Sequence, residues 1–219
     1  MYIPSHFAEE RLDVLHQLIH AHPLGTLVTL DADGLNANHI PFEIAAPTAD
    51  APHGILNAHI ARNNPLWKTA SKEVEALVVF QGPQHYISPG WYEEKKISGK
   101  VVPTYNYATV HAHGPLRIVD DPVWLLALLQ RLTTRHEAIQ QAPWQVGDAP
   151  SDYIEKMLSA IIGIQIPITR LAGKWKVSQN RSEADRYKVV QGLRELNSVH
   201  PDTDTAGMAK LVAGNSSDQ

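Results

Sequence analysis

Apolar runs in this chain are short because proline and glycine keep cutting them: 15 prolines and 13 glycines are spread through 219 residues. Proline lacks the amide that a helix interior needs and glycine loosens the backbone, so the pattern favours several short strands over a few long helices. A hydrophobic share of 43% against 19% charged residues can still bury a substantial core. The expected fold is therefore mainly β with inserted helices, α+β in class. Residues 1–197 read as a single domain with an N-terminal helix and late helical insertions, and 198–219 read as a flexible C-terminal tail.

Individual segments support that outline. Leu12, Leu15 and Ile19 follow helical spacing within residues 8–22, and Pro23-Leu24-Gly25 supplies a stop. "GTLVTL" and "LNANHIPFEIA" flank "DADG", where Asp33-Gly34 suits a tight hairpin turn. "HGILNAHIA" and "EALVVFQG" read as further strands, and Asn64-Pro65 caps and begins a short helix through "LWKTA". "PTYNYATVHAHGPLRIV" alternates as a long strand, with Tyr105, Tyr107, Thr109, His111 and His113 on one face. Asp121-Pro122 opens a helix striped by Leu125, Leu128, Leu129 and Leu132, and another begins near Ser151. "IGIQIPITRLAGKWKVSQN" reads as one last strand, followed by a helix over 183–196. Antiparallel hairpin order with about six strands suggests a closed or nearly closed, Greek-key-like barrel.

Composition narrows the chemistry. A formal charge of −4 repels phosphates on average, so DNA binding would need a local basic patch. The absence of cysteine excludes disulfides, thiolate metal sites and cysteine nucleophiles, and fits a reducing compartment. The start "MYIPSHFAEE" lacks a basic-then-apolar signal pattern, and no apolar run approaches the roughly 20 residues of a membrane span. A cytoplasmic protein with no membrane partner is expected. There is no glycine-rich dinucleotide loop, Walker loop or nucleophile elbow.

Two segments suit an anion. In "HIARNNP", His59, Arg62 and Asn63 approach a helix start where a forked guanidinium and free amides suit a phosphate; a capped helix with exposed charges explains the same spacing. In "AGKWKVSQNR", alternation puts Lys174, Lys176, Ser178 and Asn180 on one face and Trp175, Val177, Gln179 and Arg181 on the other. That segment reads equally as an anion site or as a solvated edge guarded by lysines. His111 and His113 share a strand face, but no third metal ligand is placed beside them, and no metal is expected.

Six segments, "MYIPSHF", "NHIPF", "HIARNNPLW", "FQGPQHYISPGWY", "VPTYNYATVHAHG" and "GKWKVSQNR", together and in this order resemble the PaiB-type FMN-binding negative transcriptional regulators. The resemblance runs from Met1 to about Leu193 and implies an FMN-binding split β-barrel, dimeric, with FMN at the subunit interface. It implies that His39, Ile40, Pro41 and Phe42 line the isoalloxazine and that His59, Arg62 and Asn63 hold the phosphate. Tyr105 and Asn106, from the partner subunit, and Lys174, Lys176 and Gln179 complete the implied set. Tyr105 stands where tryptophan is expected from the family pattern. The implied role is transcriptional repression or flavin sensing. The alternatives are an FMN-dependent oxidoreductase using a nicotinamide donor, or a haem-binding or haem-degrading split barrel. No catalytic residue is nominated, because the flavin carries the chemistry of hydride transfer.

Overall fold

The computed structural model describes residues 1–214. In chain order the first elements are β1 (Ala8–Glu9), α1 (Leu12–Ala21), β2 (Leu24–Asp31), β3 (Gly34–Pro41), β4 (Glu43–Ala45), β5 (Ile55–Ala61), α2 (Leu66–Thr69) and β6 (Ala76–Ile87). They are followed by α3 (Glu94–Ile97), β7 (Thr104–Gly114), β8 (Arg117–Val119), α4 (Pro122–Glu137), α5 (Ser151–Ser159), β9 (Ile161–Pro167), β10 (Arg170–Lys176), α6 (Glu183–Val199) and α7 (Thr203–Gly214). The chain divides into two compact units. One comprises residues 1–22, 81–111 and the chain from 172 onward; the other comprises 23–80 and 112–171. Neither is contiguous, which is why the sequence reads as a single domain over 1–197. Strands β6, β7 and β10 each begin in one unit and end in the other.

The unit built from 23–80 and 112–171 is dominated by antiparallel strands. β2 and β3 pair from Leu24↔Pro41 to Asp31↔Gly34. The turn closes at Gly34, whose φ of 116° suits a residue without Cβ. Leu27 and Thr29 face inward, while Leu24, Thr26, Val28 and Leu30 face the other way. The first part of β6 pairs with the other side of β2, from Thr26↔Val79 to Val28↔Leu77.

The single strand expected over "LNANHIPFEIA" is broken at Phe42. Its amide donates to the Pro23 carbonyl at 2.8 Å, and the chain changes sheets, so that β4 joins a second sheet of order β4-β5-β9-β8. Phe42 is fully buried at this corner and meets Phe80 edge-on, with centroids 5.9 Å apart. Helix α4 starts as its sequence predicts: the Asp121 carboxylate accepts from the Val123 amide at 2.8 Å. Leu125 and Leu128 are its buried stripe. Trp124 lies so close to β9 that a Cβ at Gly163 would sit 2.5 Å from its ring, so only glycine fits there.

In the other unit β1 pairs with β10 through Ala8↔Lys174 and Glu9↔Gly173, and α1 buries Leu15, Leu18 and Ile19. β6 is longer than expected, taking in "GPQHYI". The last strand of the sequence reading is two strands. Pro167 ends β9, and the Ile168 and Thr169 amides turn to the Gly54 and His113 carbonyls before β10 begins.

The tail expectation over 198–219 is corrected for the described residues. Thr203–Gly214 form α7, which buries Thr205, Met208, Ala209 and Val212. Its small residues permit close packing: a Cβ at Gly207 would stand 2.7 Å from the Pro83 ring. Mean apolarity understates a helix that buries only Thr205, Met208, Ala209 and Val212 along one face. Residues 215–219 lie outside the described residues. Among the described residues no helix is long and apolar enough to cross a membrane.

Candidate functional site

The segment from Lys174 to Arg181 closes β10 and turns into α6. Lys174 and Ser178 are only 9% and 3% exposed, while Lys176 is half-buried and Asn180 exposed, so the solvated-edge reading fails at Lys174 and Ser178. The Lys174 ammonium donates to the Tyr2 carbonyl at 3.1 Å and lies 5.8 and 5.3 Å from the Tyr2 and Tyr107 ring centroids. Lys176 donates to the Thr104 hydroxyl and, at 2.7 Å, to the Tyr105 carbonyl. Burial pushes its pKa below the ordinary lysine value; Tyr107 acts the other way, and the Lys174 and Arg181 cations add to the depression.

Beyond Lys176 the strand alternation stops. Ser178 has a φ of 66°, the one non-glycine residue with positive φ among the described residues. Its hydroxyl accepts from the Asn106 amide at 2.9 Å, and its carbonyl accepts from the Arg181 amide at 3.0 Å. Gln179 folds back on its own turn, accepting from the Val177 amide at 2.7 Å and donating to the Trp175 carbonyl. Its amide therefore braces the turn. Asn106 is likewise committed inside the unit, whereas the Tyr105 ring is exposed.

Arg181 is a residue that strand alternation misassigns. A continuous strand puts it opposite the lysines, but the left-handed Ser178 reverses the chain and brings Arg181 within electrostatic reach of Lys176. Its guanidinium lies 4.6 Å from the Tyr92 ring centroid. Burial raises the Tyr92 phenol pKa, and Arg181 opposes that rise. None of Lys174, Lys176 and Arg181 forms an ion pair with a carboxylate among the described residues.

The expected phosphate turn in the β-rich unit has a different character. Both terminal nitrogens of Arg62 engage the Asp120 carboxylate, at 2.9 and 2.6 Å, and Nε donates to the Ser159 carbonyl at 2.9 Å. The Asp120 hydrogen bond raises the Arg62 pKa and lowers that of Asp120. Arg62 ties the end of β5 to neighbouring segments, and a phosphate there would have to displace a bidentate carboxylate. Asn63 is exposed, while Asn64 accepts from the Leu66 amide at 3.0 Å and donates to Asn38 at 2.9 Å. This is the cap expected for α2. His59 carries a buried Nδ1 without a partner, and burial lowers its pKa.

The four residues expected along the isoalloxazine split by strand alternation. His39 and Pro41 face outward, and Ile40 and Phe42 are core residues. The outward face pairs Leu24 with Pro41, Thr26 with His39, Val28 with Ala37 and Leu30 with Leu35, an apolar surface on which Leu35 is 81% exposed. Among the described residues no group of three or more histidine, aspartate or glutamate side chains is arranged to hold a metal ion.

The sequence matches the family model described as "Putative FMN-binding domain" over residues 1–170. The chain belongs to this family. A relative from Emericella nidulans, described as an uncharacterized protein, is 38% identical over 229 residues, covering 90% of this chain and 91% of that one. The protease synthase and sporulation protein PAI 2 of Bacillus subtilis is 29% identical over 212 residues, covering 97% and 96%. Among solved structures, the FAD and heme binding protein from Mycobacterium smegmatis gives a TM-score of 0.53 at 16% identity, over 76% of this chain and 71% of that one. The flavocytochrome Anf3 from Azotobacter vinelandii gives 0.55 at 12% identity, over 77% and 69%. Both likenesses concern the fold alone. The chain is thus an FMN-binding split-barrel protein of PaiB type.

Proposed function

We propose that this FMN-binding protein holds the flavin phosphate on Lys174 and Lys176 and works as a homodimer in flavin sensing or regulation. The observation that carries the phosphate assignment is the carboxylate-free charge of a buried Lys174 beside a half-buried Lys176. A cation removed from water without a counter-charge is costly, and an acceptor-only dianion relieves that cost. Arg62, already neutralised by Asp120, has no comparable demand. The chain's residues therefore fit the anionic end of FMN. Bound FMN supplies hydride and one-electron transfer; the lysines bind and orient its phosphate.

Flavin bands in the visible spectrum of the purified protein, or uptake of added FMN, test the cofactor. A colourless protein that takes up none overturns the reading. The lysine assignment also predicts a pH dependence. A bound anion raises the depressed Lys176 pKa, so binding takes up a proton where the free lysine is neutral. FMN affinity is expected to be full below the free-state pKa and to fall as pH rises through it, starting below the ordinary 10.5. Titrations of FMN at a series of alkaline pH values check this; a flat profile sinks the Lys176 contact.

Homodimerisation through the outward β2–β3 face is part of the same reading, and the family resemblance implies that FMN lies at the subunit interface. An exposed sheet face that is mostly apolar, broken only by the Thr26–His39 pair, is a surface that a second copy covers well. Sedimentation is expected to show a dimer, and Leu35→Asp is expected to shift it to monomer while circular dichroism stays unchanged. A monomeric parent protein would refute the interface.

For the regulatory role, the expected result is a salt-sensitive shift of a specific DNA fragment by the FMN-loaded dimer. Oxidation of NADH or NADPH by the loaded protein, without specific DNA binding, favours the oxidoreductase alternative.

A further inference from the structure

We infer that Arg181 is the phosphoryl-recognising fork of the Lys174–Arg181 turn and that it makes the protein select phosphorylated flavin over riboflavin. The inference rests on the FMN reading above and adds a residue and a specificity to it. Three observations converge. First, Arg181 is half-buried and has no carboxylate partner among the described residues, although arginine is the side chain best shaped to pair with one. Second, the Tyr92 ring lies 4.6 Å below the guanidinium carbon. The contact with Tyr92, which includes the phenol as well as the ring, holds the fork in place, so less rotamer freedom is lost when its remaining N–H groups meet an oxyanion.

Third, the backbone is organised to present it. Ser178 occupies the left-handed region, its hydroxyl is held by Asn106, and Gln179 clips the turn to both Trp175 and Val177. A non-glycine residue persists in this region only where its surroundings over-determine it. The outcome is a chain reversal that brings the guanidinium within electrostatic reach of the Lys176 ammonium. Two like charges within reach of each other repel, and a phosphate monoester, acceptor-only and close to doubly charged at neutral pH, offsets both. The arrangement suits a terminal phosphoryl group. Riboflavin, which ends in a neutral hydroxyl, offers the three cations nothing comparable.

The discriminating experiment titrates FMN and riboflavin separately against the full-length parent, Arg181→Lys and Arg181→Gln, with thermal unfolding of each protein. The parent is expected to bind FMN at least about 100-fold more tightly than riboflavin. Arg181→Lys keeps the charge and the contact with Tyr92 but loses the fork, and is expected to weaken FMN about 10-fold; Arg181→Gln is expected to weaken it about 100-fold. Riboflavin affinity should stay within about twofold throughout, which a merely structural role would not produce. Equal losses for both flavins, or unchanged FMN affinity in both variants, would overturn the inference. A parent that binds riboflavin as tightly as FMN defeats the phosphoryl specificity while leaving flavin binding intact. A parent that binds neither defeats the FMN reading itself. Should Arg181→Gln fail to fold, Arg181→Lys alone decides, since its charge and stacking are retained.

Discussion

Phe42→Ala is expected to lower stability by about 3–5 kcal/mol, the cost of deleting a fully packed aromatic ring and leaving a cavity. The ring is completely buried, contacts Phe80 edge-on, and fills the corner where the chain leaves the β2–β3 pairing for the second sheet. Gly25 opposite has no room to compensate: a Cβ there would sit 3.1 Å from Phe42 and 2.8 Å from Phe80. In a chain of this size the loss corresponds to a fall of roughly 10 °C in the unfolding midpoint. Thermal unfolding of the flavin-free protein measures it, since ligand stabilisation then plays no part. An unchanged midpoint together with lost flavin binding would return Phe42 to the ligand-lining role that the family resemblance implies.

Replacing both lysines, Lys174→Met with Lys176→Met, is expected to reduce FMN affinity by roughly 10²–10⁴-fold, from about 1.5–3 kcal/mol for each charge-assisted contact. Methionine keeps most of each stem, so the unfolding midpoint is expected to hold or rise once the buried Lys174 charge and its half-buried neighbour, neither paired with a carboxylate, are gone. The salt dependence of FMN binding should flatten in the same variant. Arg62→Ala serves as the comparison. It removes the pair with Asp120, and its effect on FMN affinity is expected to be far smaller than that of the double lysine variant. If Arg62→Ala abolishes binding and the lysine variant does not, the phosphate belongs to the turn after β5.

The order of these effects differs from what residue types alone suggest. An arginine next to asparagines before a proline-started helix reads as a phosphate turn, and the spacing is right for one. Asp120, 58 residues further along, carries no local signal that it would claim that guanidinium. The cationic segment failed to decide between ligand and solvent for the opposite reason. Alternation describes which face a side chain takes, but what meets that face depends on the Tyr2 and Tyr105 carbonyls and the Tyr107 ring, which come from distant segments.

Local chemistry was enough for much of the architecture. The Gly34 turn, the Asp121 cap of α4, the Asn64 cap of α2 and the Leu15–Ile19 face of α1 are set by interactions within a few residues, so the sequence displays them directly. The ordered family segments added the flavin-binding split barrel and its cofactor. Tertiary structure alone decided the division into two interleaved units, the sheet change at Phe42, the α7 helix in place of a tail, and the reversal at Ser178 that brings Arg181 to the lysines. Each of these turns on burial or hydrogen bonding between residues far apart in the chain, or on a backbone conformation imposed from outside the segment. Short-range periodicity carries no record of either.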